Sequence, residues 1–130
     1  MTNQHWTLTV SYNLQNGTVT VTDDNGDSAD ETIYTGETDT LTFKPGSGVS
    51  KVTGLRIGSP SPLPQGVSVT WAADPANANN LIVTDIDSLI STDQDVQVSY
   101  CVLFNDSRGN AVSSDPKLIN KSSVRPSTNQ

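Results

Sequence analysis

Seven of the chain's 14 carboxylates lie in one short stretch. Asp23, Asp24, Asp27, Asp30, Glu31, Glu37 and Asp39 occur there with no Lys or Arg among them. Calcium is held by about six to eight oxygens from carboxylates, amides and backbone carbonyls. Asp23, Asn25 and Asp27 follow the alternate spacing that opens an EF-hand loop. The sixth position is Ser28, where that loop turns on Gly, and the twelfth is Tyr34, where it needs a bidentate Glu. Two expectations remain for the stretch. One is a solvated loop that keeps the protein soluble. The other is a non-EF calcium loop with Asp23, Asn25, Asp27, Asp30 and Glu31 as ligands; apart from this calcium, no cofactor is expected. Asp85, Asp87, Asp93 and Asp95 make a second acidic patch, expected at the same end of the fold.

Other chemistry has less to work with. The single histidine, His5, and the single cysteine, Cys101, are far apart in the chain, which disfavours a zinc site built from clustered His and Cys. His5 is expected on the surface. Cys101 lies within a strand pattern and has no cationic neighbour in sequence, so it reads as a small buried hydrophobe rather than an activated thiol. Carboxylate pairs suited to glycoside hydrolysis are too easily found among 14 acids to mean anything. No enzyme is expected.

Seven Lys and Arg against 14 Asp and Glu leave a net charge of −7. That sign disfavours nucleic acid and anionic membrane as partners. The start of the chain has no basic segment followed by an apolar one, and no apolar run approaches the ~20 residues of a membrane span. A cytoplasmic protein is expected.

These groups must be positioned by strands. Trp6, Leu8, Val10, Tyr12 and Leu14 alternate with Thr7, Thr9, Ser11 and Asn13, the period of a strand with one wet face. Asn16-Gly17 signals a two-residue hairpin turn, which would pair Leu14 with Val19 and Tyr12 with Val21. Short strands follow at 32–34 and 38–43. Residues 49–57 form another whose phase slips at Gly54, marking a bulge. Pro60, Pro62 and Pro64 suit a loop crossing between two sheets. Val67, Val69 and Trp71 share a face, so Trp6 and Trp71 are both expected to face the core. Residues 72–80 read as a loop and 81–86 as an apolar strand. Residues 96–104 form the longest strand, central in its sheet. Gly109 closes a turn that pairs Asp106 with Asn110, Phe104 with Val112 and Val98 with Leu118. Pro116 then demands an edge or a bulge.

No helical period appears, and strands recur with turn signals every 8–12 residues or so. The expected fold is a single antiparallel β-sandwich of immunoglobulin-like type with seven to nine strands, without a disulfide. It spans residues 1–121, followed by a polar tail at 122–130 expected to be disordered.

The stretch Phe104-Asn105-Asp106-Ser107-Arg108-Gly109-Asn110, followed by Asp115-Pro116-Lys117-Leu118-Ile119-Asn120, resembles the end of small bacterial β-sandwich proteins. The similarity covers residues 98–120 and is to the family labelled DP-EP, and less closely to inclusion-body proteins of the AidA/PixA type. It implies a fold and no known activity. The expected function is a non-enzymatic binding or structural module acting through exposed faces or strand edges. Its partner would be another protein or a second copy of itself. The strand around Pro116 and the strand at 38–43 are the candidate edges. The alternative is a calcium-dependent ligand-binding domain using the acidic loop 23–39.

Overall fold

Strict alternation in β1 (Gln4–Tyr12) sends Leu8 and Val10 into the core and Thr7 and Thr9 outward. The same rule orders the whole chain in the computed structural model, which describes residues 4–26, 32–35, 38–88 and 96–121. The remaining strands are β2 (Val19–Thr22), β3 (Thr32–Thr35), β4 (Thr38–Pro45), β5 (Val49–Ser59), β6 (Val67–Asp74), β7 (Asn77–Asp87), β8 (Val96–Asp106), β9 (Ala111–Ser113) and β10 (Lys117–Lys121). They form two sheets, ordered β2-β1-β4-β7-β6 and β3-β10-β8-β5, with β9 also paired to β8. No α-helix occurs among the described residues, and none is long and apolar enough to cross a membrane.

The protein is a β-sandwich. Two pairings depart from the antiparallel expectation: β1 runs parallel to β4, and β10 parallel to β3. The inner faces supply a core of Leu8, Val10, Val21, Leu41, Phe43, Val83, Val98, Tyr100, Val102 and Phe104. Edge-to-face contacts of Phe43 with Tyr100, centroids 6.4 Å apart, and of Tyr12 with Phe104, 5.5 Å apart, tie the two sheets together. The Pro-rich segment does carry the chain from one sheet to the other, between β5 and β6.

The first hairpin differs from expectation. Tyr12 pairs with Val19 and Val10 with Val21, a slip of two residues that preserves the inward face. The loop is longer because Asn13 closes it. Asn13 N–H donates to Thr18 O at 2.9 Å, and Asn13 Oδ1 accepts from Gln15 N–H at 2.9 Å and Asn16 N–H at 3.3 Å. Leu14 therefore sits in the loop, exposed, and not in the core.

The closing hairpin follows its turn chemistry. Gly109 has φ +85°, Asp106 N–H donates to Asn110 O, and Phe104 pairs with Val112. The Asp106 carboxylate is buried beneath the turn, its Oδ1 accepting from Arg108 N–H and Asn110 N–H at 2.9 Å each. Beyond it the register shifts by one. Pro116 interrupts the strand, and Val98 pairs with Ile119 rather than Leu118. This sets Lys117 opposite Tyr100 on the inward face, where its side chain is buried. The slip in β5 falls at Gly54 as expected, with further shifts near each end of the strand. Residues 72–80 are not a loop: β6 and β7 run on to a tight turn at Asp74–Asn77, where Asp74 Oδ1 accepts from Ala76 N–H at 2.8 Å.

Candidate functional site

The acidic residues that the structure describes are divided between a turn and the interior. Asp23 and Asn25 occupy the turn after β2, and Asp23 Oδ1 is engaged by Asn25 N–H at 2.9 Å. They line a shallow hollow with His5, Trp6, Thr7 and Asp24. Asp27, Asp30, Glu31 and Glu37 lie outside the described residues, as do Asp93 and Asp95. Asp39, Asp85 and Asp87 are fully buried, which corrects their assignment to acidic surface patches. Asp39 stands opposite Asp85 across the β4–β7 ladder, and Asp87 follows two residues along on the same face. Trp6 Nε1 donates to Asp39 Oδ2 at 3.4 Å. None of the three carboxylates is without an interaction partner, as burial of charge demands. Among the described residues no three His, Cys, Asp or Glu side chains converge closely enough to hold a metal ion. The sequence did carry the signal: Asp39 shares parity with Leu41 and Phe43, and Asp85 and Asp87 share it with Leu81 and Val83.

His5 is exposed, its Nε2 3.5 Å from Thr42 Oγ1. Cys101 is half-buried rather than buried. A cationic neighbour absent from the local sequence arrives across the ladder, where Arg56 stands opposite Cys101. Its guanidinium donates to Ser113 Oγ at 3.1 Å.

Of the expected edges, the strand at 38–43 is internal, and the returning strand around Pro116 is internal only past the proline. β4 lies between β1 and β7, and β10 between β8 and β3. Among the described residues the free borders are β2 and β6 of one sheet and β3, β5 and the short β9 of the other. Of these, β2 and β3 are only four residues long and β9 three, and β5 carries Lys51 and Arg56 together with three register shifts. Short length, cationic side chains and bulges are the usual guards against strand addition.

β6 has none of them over Val67 to Ala73, which is uncharged and keeps regular register with β7. Its bulge comes only at the Ala73/Asp74 step. The orientation of its backbone follows from one hydrogen bond. Ser88 N–H donates to Gly66 O at 2.9 Å, so position 66 is turned toward β7. Antiparallel ladders alternate, so Ser68, Thr70 and Ala72 also turn both groups toward β7. Val69, Trp71 and Ala73 turn theirs to the open side. Val67 does as well, but its N–H is already bonded to Pro64 O at 3.0 Å.

Trp71 shares the inward parity of Val67 and Val69 yet is 39% exposed. It sits at the border of the sandwich against the bulged β5, where a Cβ on Gly54 would stand 3.2 Å from its Nε1. The outer side of the same border is a shallow groove formed by Trp71, Ala72, Ala73, Pro75 and Ile82. A backbone edge with unused donors and acceptors beside apolar side chains is equipped to take up an extended strand. No protein-family model matches the chain, and no curated protein matches it significantly.

Proposed function

We propose that the protein is a non-enzymatic binding or structural module that works by strand addition at the β6 edge. The observation that carries this is the unguarded run Val67 to Ala73, with the backbone groups of Val69, Trp71 and Ala73 turned outward. The main chain supplies affinity without regard to sequence. The half-exposed Trp71 and the adjoining groove favour a partner strand that is uncharged and apolar on alternate residues. An acidic partner strand is disfavoured by the net charge of −7.

The test is a titration of nitrogen-labelled protein, kept dilute, with a nine-residue peptide of alternating Thr and Val. The amide signals of Val69, Trp71 and Ala73 are expected to move and to gain protection from exchange. Those of Ser68, Thr70 and Ala72 should move less, and those of β5 should not respond. If all β6 amides stay in place at millimolar peptide, strand addition at this edge is wrong.

A further inference from the structure

We propose that the strand β6 accepts is β6 of a second copy of this chain, antiparallel about a two-fold axis at Trp71. This rests on the β6 edge being a strand-addition site and names its occupant.

The backbone selects that axis. A two-fold at Trp71 pairs Trp71 with the partner's Trp71, Val69 with the partner's Ala73, and Ala73 with the partner's Val69. Every outward-turned N–H and C=O of those three residues is then used, each pair exchanging two hydrogen bonds. At this axis the unavailable donors of Val67 and Pro75 face each other beyond the ladder, whereas neighbouring axes bring one of them inside it. Centring on Val69 or Thr70 calls on the N–H of Val67, already bonded to Pro64 O. Centring on Ala72 or Ala73 brings Pro75 into the ladder, and proline has no N–H to give.

Charge agrees with the same axis. Two chains of net charge −7 repel, so self-association needs a border where acid does not meet acid. Around Trp71 the first acid reached is Asp74, and it falls opposite the partner's Ser68, a hydroxyl donor. The axis also brings the two half-exposed indoles together and joins both five-stranded sheets into one.

The register makes the test specific. On the outer face Thr70 would lie opposite the partner's Ala72, twice per dimer. Both residues are exposed, so substitutions there leave the fold intact, which matching circular dichroism and melting temperature would verify. Sedimentation equilibrium of the full chain is expected to give twice 13.8 kDa. Thr70→Lys with Ala72→Lys sets like charges opposite each other and should weaken the dimer about tenfold or more. Thr70→Lys with Ala72→Glu sets opposite charges there and should hold the dimer close to the parent. A parent that is monomeric at millimolar concentration overturns self-pairing. A dimer that both double variants leave equally intact, or equally broken, overturns this axis. The peptide titration is read independently: amide shifts in a monomeric chain would leave strand addition standing while self-pairing fails.

Discussion

Two glycines share a backbone conformation but not an environment, and substituting each with alanine separates two costs. Gly109 has φ +85° and Gly48 has φ +77°. A Cβ on Gly109 meets nothing within 4 Å. Gly109→Ala therefore incurs only the left-handed penalty, about 1 kcal/mol. A Cβ on Gly48 would fall on the backbone carbonyl of Tyr12. That carbonyl cannot retreat freely. Tyr12 N–H donates to Ser47 O at 2.8 Å, and Ser107 N–H donates to Gly48 O at 2.9 Å, joining the ends of β1, β4 and β8. Giving way means losing one or both bonds, at about 1 kcal/mol each, so Gly48→Ala should cost about 3 kcal/mol. For a chain of this size about 1 kcal/mol moves the melting temperature by about 4 °C. The expected losses are about 4 °C for Gly109→Ala and about 12 °C for Gly48→Ala. Thermal melts followed by circular dichroism, with urea midpoints at constant slope, measure both. Equal losses would show that the contact at Tyr12 does not exist as described, and the packing of the three strand ends would have to be redrawn.

Two further substitutions probe corrected parts of the fold. Leu14→Ser should change stability by less than about 0.5 kcal/mol, because Leu14 sits exposed in the first hairpin loop. A loss near the ~3 kcal/mol of a core truncation in urea melts would restore the shorter turn. Tyr100→Phe removes a buried hydroxyl with no hydrogen-bond partner among the described residues and should stabilise by up to about 1 kcal/mol. Burial holds the Tyr100 phenol well above its ordinary 10.0. The folded chain thus keeps this proton while the unfolded chain loses it above about pH 10, so stability falls as pH rises past that point. Phenylalanine should flatten that alkaline decline in melts between pH 9 and 11. An unchanged decline would mean that Tyr100 ionises as readily when folded.

Much of the fold was legible because β-structure writes its two-residue period locally. Inward positions such as Leu8, Val10, Val98, Tyr100 and Phe104 follow from alternation alone, and Gly109 from the turn it closes. Register was less legible. The slip of the first hairpin depends on which backbone groups Asn13 captures, and the shift that sends Lys117 inward depends on how the chain passes Pro116. Parity also marked Asp39, Asp85 and Asp87 as inward, but their charge argued for solvent, and only the pairing of β4 with β7 resolves the conflict.

What the amino-acid order determined by itself is the β class and, for most strands, which side chains turn inward. Both are properties of consecutive residues on a pleated backbone. Which strands border the sheets was decided only in three dimensions. The strand at 38–43 looked available for a partner, yet β1 and β7 enclose it, while β6 has no second neighbour among the described residues. Strand order is set by pairings between segments distant in sequence, chosen by how two whole faces bury their apolar area together, and no local pattern encodes that choice.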